Sequence, residues 1–111
     1  MTSGYNPDSW KILSLKNKES GEVHYRILCS WAGSYVHGSS WKLSSGIASV
    51  EKQDDHYIMP QHSGSVYLLH EGYERLSGIT VGVLSTLETE NDLVEVEALE
   101  LEDFLVVWVN P

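Results

Sequence analysis

Val94-Glu95-Val96-Glu97-Ala98-Leu99-Glu100-Leu101-Glu102-Asp103-Phe104-Leu105-Val106-Val107-Trp108-Val109 is the stretch whose reading decides the fold of this 111-residue chain. Val94, Val96 and Ala98 alternate with Glu95 and Glu97, and Leu99 and Leu101 then alternate with Glu100 and Glu102. The phase reverses at Ala98-Leu99, as one extra residue in a strand would make it do, so a bulge or tight bend is expected there. A helix competes, because Val94, Ala98, Leu101, Leu105 and Trp108 also fit a 3.6-residue period. A helix would scatter the acids round its cylinder, and the β-branched Val106, Val107 and Val109 favour extended backbone. The pattern therefore predicts strand, with Phe104 to Val109 buried on both faces.

Immediately upstream, Leu76 to Thr89 has helical spacing in Ile79, Val83, Leu84 and Leu87, while Ile79, Val81 and Val83 also alternate. Gly78 and Gly82 each disfavour a helix by about 1 kcal/mol relative to Ala. One short helix is expected over residues 76–89. Further towards the N-terminus the punctuation is that of a β protein. Trp10 to Leu15, Val23 to Trp31, Trp41 to Glu51, His56 to Met59 and Ser65 to His70 read as strands. They are separated by Asn17 to Gly21, a Gly/Ser loop over Ala32 to Ser40, Gln53-Asp54-Asp55, and Gln61 to Gly64. Pro60 is expected to end its strand or mark an edge, since it has no N–H for a ladder. The prediction is a single β-rich domain over 1–111: a small barrel or sandwich of five to seven antiparallel strands with at most one short helix.

Charge is segregated along the chain. Residues 76–111 contain no Lys or Arg and eight acids: Glu88, Glu90, Asp92, Glu95, Glu97, Glu100, Glu102 and Asp103. The first 75 residues hold eight acids and all seven bases, a net −1, so the last third carries −8 of the formal −9. Such a field disfavours direct binding of nucleic acid, which needs clustered Lys and Arg, and disfavours anionic membranes for the same reason. A basic protein surface or a metal ion is compatible with it, as is solubility alone. MTSGYNPDSW has neither the basic nor the apolar region of a signal peptide. The longest apolar run, Phe104 to Val109, is far below the ~20 residues that span a bilayer. A cytoplasmic location is the expectation, and the single cysteine, Cys29, sits in an apolar run and reads as buried and inert.

Four constellations could carry chemistry. On a strand, Glu95 and Glu97 share a face about 6.7 Å apart, as do Glu100 and Glu102 beyond the bend. Such a ladder offers a basic partner a row of charge, or serves only to keep an edge soluble. Tyr35 and His37, near the tip of the Gly/Ser loop, are candidate anchors beside it, because aromatic residues on polar loops make contact area at low entropic cost. Trp31, Tyr35, Trp41 and Tyr67 are the alternative, lining a small-molecule pocket. His56, His62 and His70 would converge on a metal only if three strands brought them together. There is no G-x-S-x-G elbow and no glycine-rich phosphate cradle, and the serines near His37 and His62 flank glycines, where turns explain them. The residues give no positive sign of catalysis and no cofactor motif. The leading function is an acidic interaction protein that masks or inhibits a basic partner through its C-terminal third. The alternatives are a small-molecule-binding β domain and a metal-dependent enzyme using the three histidines. Homo-oligomerisation through a strand edge at Phe104 to Val109 stays open.

Overall fold

The computed structural model describes residues 4–34, 38–90 and 92–109, without the side chains of 33, 34, 38 and 39. The chain is mostly β. In order it forms β1 (Gly4–Tyr5), β2 (Ser9–Asn17), β3 (Val23–Ser34), β4 (Gly38–Leu43), β5 (Glu51–Gln53), β6 (His56–Pro60) and β7 (Val66–His70). A short 3-10 turn (Glu71–Tyr73) leads to α1 (Gly78–Thr89), β8 (Val94–Leu99) and α2 (Leu101–Val109). The strands make two four-stranded sheets, β1-β7-β6-β5 and β4-β3-β2-β8, neither closed into a barrel. The eight strands among the described residues exceed the expected five to seven, and the β1–β7 pairing is parallel where only antiparallel pairs were expected.

The expected helix over 76–89 is α1. Ser77 is its N-cap, with a reciprocal pair: the Ser77 N–H donates to Thr80 Oγ1 (2.7 Å) and the Thr80 N–H to Ser77 Oγ (3.4 Å). Ser30 Oγ also donates to Ser77 Oγ (2.8 Å) and meets Ser9 Oγ at 2.6 Å, so a chain of hydroxyls fixes the start of α1 against β2 and β3.

Phe104 to Val109 overturns the strand expectation: it lies in α2. The phase reversal at Ala98-Leu99 is the junction itself, where β8 ends and the helix begins two residues later. Burial decided the matter over β-propensity. As a helix, the segment puts Leu101 and Phe104 into the core together, at 7% and 0% exposure, with Leu105 and Trp108 packed against it. The segment therefore has no strand edge to offer a second copy. The expected long strand Trp41 to Glu51 also breaks. After Leu43 the Ser44 side chain accepts from the Ile27 N–H (2.8 Å), Arg26 Nε donates to the Ser44 carbonyl, and Gly46 turns the chain at φ 141°.

The sheet β4-β3-β2-β8 lies between two unlike layers. On one face Leu13, Leu28 and Val96 pack against Leu84 of α1. On the other, Trp10, Ile12, Ile27 and Cys29 meet Tyr57, Met59, Tyr67 and Leu69 of the second sheet and Leu101 and Phe104 of α2. Alternation on β6 and β7 places that inner row at every second residue and leaves His56 and His70 on the outer face.

Candidate partner-binding surface

The same alternation aims the acids of β8. Val94, Val96 and Ala98 turn towards α1, so Glu95 and Glu97 take the opposite face. β8 is the outermost strand of its sheet, and its register with β2 sets Lys16 opposite Glu95 and Ser14 opposite Glu97. The first turn of α2 then brings Asp103 over this face. Glu95, Glu97 and Asp103 line one groove of about 310 Å³ with Lys16, Ser14 and Leu99. Glu102 and Asp103 sit in the first turn, where the positive end of the helix dipole favours acids. Glu95, Glu97, Glu102 and Asp103 are all exposed and form no ion pair among the described residues.

Glu100 is different. It meets Lys11 Nζ at 3.1 Å, while Glu74 meets the same ammonium at 3.0 Å from the other side. Glu74 also accepts the Leu101 N–H (2.7 Å), so a residue far upstream in the chain caps α2. The Lys11 side chain is only 11% exposed. Burial pulls its ammonium down, but the hydrogen bonds and charges of Glu74 and Glu100 outweigh that and hold it above the ordinary lysine value. Glu100 thus belongs to the scaffold, unlike the three acids expected to act with it.

Adjoining the acidic groove past Val107 lies a larger groove of about 650 Å³, walled by Tyr25, Ile47, Val107 and Trp108 with His24 and His62 at its sides. Tyr25 meets Phe104 and Trp108 edge-on, at ring distances of 5.3 and 6.4 Å, one helical turn apart. Val23, Tyr25 and Val107 line both grooves, so the two are contiguous.

Compared with family models, curated proteins and solved structures, the chain matches none.

The other expected site residues scatter. Tyr35 and His37 lie outside the described residues. Trp31 pairs with Ser40 and Trp41 with Ser30, so the two tryptophans leave opposite faces of the sheet. Trp31 packs beside Tyr5 (6.2 Å) and donates from Nε1 to the Asn6 carbonyl (3.1 Å). Trp41, 46% exposed, overhangs a separate groove of about 440 Å³ with Ile79, Val83 and Leu87 of α1. Tyr67 is in the core, stacked on Tyr5 at 5.0 Å, and its buried hydroxyl has no partner among the described residues. Burial, with Cys29 and Tyr5 nearby, pushes that hydroxyl well above the usual tyrosine value. Burial likewise pushes the Cys29 thiol up to about 12.

The three histidines do not converge. Asp55 bridges two of them: Oδ1 lies 2.6 Å from His56 Nδ1, and Oδ2 lies 3.0 Å from His70 Nε2. His70 Nδ1 accepts the Gly72 N–H (3.0 Å), which leaves the Nε2 proton to donate to Asp55. The hydrogen bond from His56 holds the Asp55 carboxyl below the usual range. His62 lies elsewhere, across Gly46, where a Cβ would come within 3.0 Å of its ring. Among the described residues no three His, Cys, Asp or Glu side chains are arranged to hold a metal ion. Asp55 instead ties the β5–β6 turn to β7.

Sequence reasoning missed Val107, Trp108, Tyr25 and Asp103. The signal for the first two was present, since Leu101, Leu105 and Trp108 carried the helical period that β-propensity was allowed to override.

Proposed function

We propose that this protein is a non-catalytic interaction module that docks on a basic surface of another protein, masking or inhibiting it through the acidic face of β8 and α2. One observation carries this reading: Glu95, Glu97 and Asp103 share one groove and Glu102 shares the first turn of α2 with Asp103, with no ion pair to any of them among the described residues. Exposed like charges brought together raise the local potential and speed encounter with an opposite charge, and salt screens the effect. The −8 borne by residues 76–111 sets the sign of the partner, and it points to a basic protein and not to nucleic acid.

The test is a pull-down from lysate of the source cells, washed at low and at high salt, with native bait and a Glu95→Gln, Glu97→Gln, Glu102→Gln, Asp103→Asn bait. A basic protein held by the native bait, and lost both with salt and with the variant, is the expected result. Retention of the same proteins by both baits, or of none, would overturn the reading. Glu100 is left intact because its loss would disturb the Lys11 cluster.

A further inference from the structure

We propose that the C-terminal half of α2 walls a two-part docking site for a cationic amphipathic segment of a partner protein. Its apolar side chains enter the groove of Tyr25, Ile47, Val107 and Trp108, and its cations meet Glu95, Glu97 and Asp103 in the adjoining one. The proposal rests on the reading that the partner is basic and adds what else that partner must carry.

Three observations converge. Among the described residues no acid and no Lys or Arg lines the larger groove, so its walls reward apolar contact, with Tyr and Trp of the kind that dominate binding energy. Val23 and Val107, each 40% exposed, line both grooves and continue that apolar surface to the rim of the acidic one. The last turn of α2 carries no basic residue, so the negative end of its dipole stands uncompensated by any cation of the helix itself. An apolar cleft edged by acids and by a helix C-terminus is complementary to an apolar segment edged by cations.

Spacing sharpens the requirement. Asp103 and Val107 are one turn apart, about 6 Å along the axis. A cation and an apolar anchor must therefore lie about that far apart in the partner, as i and i+4 do on a helix or i and i+2 on a strand. A second copy of this chain is a poor occupant, since it would bring the same acids, and a net −9, against this face.

The probes are two fluorescent 14-residue peptides of identical Leu/Lys composition, one ordered so that Leu and Lys segregate on a helix, one shuffled. Binding to the full chain is read by anisotropy, and the site by backbone amide shifts. The ordered peptide is expected to bind at least ten-fold more tightly, shifting Val107 and Trp108 more than Trp41 and Ile79. The discriminating variant is Val107→Glu, whose charge is mildly unfavourable at the negative end of α2 but which places a good helix former at an exposed position, so the fold is kept. If charge alone governs binding, it tightens both peptides; if the groove holds the apolar side chains, it weakens the ordered peptide several-fold. Equal binding of the two peptides, tightening by Val107→Glu, or shifts confined to the Trp41 groove would overturn the docking site and leave the acidic reading standing. A chain that dimerises with Val107 protected would assign the face to a second copy and also overturn it. Failure of both peptides to bind at low salt, or binding indifferent to Glu95→Gln with Glu97→Gln, would sink the two readings together.

Discussion

Glu100 and Glu97 lie three residues apart in the same base-free third of the chain, yet the fold uses them in opposite ways. Glu100 closes on Lys11, opposite Glu74, at the point where α2 begins. Glu97 projects with Glu95 and Asp103 into a groove where Lys16, the one cation among the described residues lining it, forms no ion pair with them. What separates them is the neighbour. The ammonium between Glu74 and Glu100 is largely withdrawn from water, so their charges are needed to keep it there. The groove acids keep their hydration and contribute nothing of that kind. A charge run is thus two populations, one holding the helix on the sheet and one left over for a partner.

The comparison breaks most sharply at its structural end. Lys11→Met leaves Glu74 confined without its cation and is expected to cost about 3 kcal/mol, the lower end of the range for halving a largely buried pair. Urea unfolding measures it directly. Cys29 gives a second readout, since burial keeps it a thiol at neutral pH and it reacts only on opening. Labelling through global opening is expected to accelerate roughly 100-fold in the variant. Glu74→Ala removes the acceptor of the Leu101 N–H but leaves Glu100 beside Lys11, so about 1–2 kcal/mol is expected, of the order of a lost helix cap. If both variants melt like the native chain, the two populations of acids are one.

How much of this could be read from sequence follows the same division. Strands β6 and β7 were legible because half-buried alternation needs only nearest-neighbour logic, β2 and β3 as apolar stretches between turns although both are buried on two faces, and α1 because its apolar spacing and the 76–89 window coincide. The clustering of Glu95 and Glu97 was legible for the same reason. The role of Glu100 was not, because Lys11 and Glu74 reach it only through long-range contacts across β2. Nor was α2. Val106, Val107 and Val109 argue for extended backbone one by one, whereas the gain from placing Leu101 and Phe104 in a shared aromatic core exists only once Tyr25 and Met59 are in place. Helix propensities differ by tenths of a kcal/mol per residue, and burial of one Phe is worth about 1.5–3 kcal/mol.

The other side of the comparison predicts near-silence. Glu95→Gln and Glu97→Gln together are expected to change stability by no more than about 0.5 kcal/mol, in the stabilising direction, because they relieve like-charge repulsion and break no ion pair. A loss approaching that of Lys11→Met would show that these acids, too, belong to the scaffold, and would remove the observation on which the interaction reading rests.

Asp55 sharpens the division with the smallest effect, being exposed like the groove acids yet partnered like Glu100. Its carboxyl lies below the usual range because of the hydrogen bond from His56, with the His70 and His56 charges adding to it. A carboxyl depressed on folding contributes stability that is fully present above its unfolded value, about 3.9. That contribution is lost as pH falls through the depressed folded value. Urea midpoints of the native protein and Asp55→Asn, followed from pH 5 down to pH 2.5, should therefore draw together, the native chain losing more over that interval. The Asn variant keeps one acceptor for an imidazole, so the gap at pH 5 is small and only its closing is diagnostic. Parallel curves would mean that the two imidazoles on Asp55 are incidental to folding, and that among these acids only Glu74 and Glu100 act as structure.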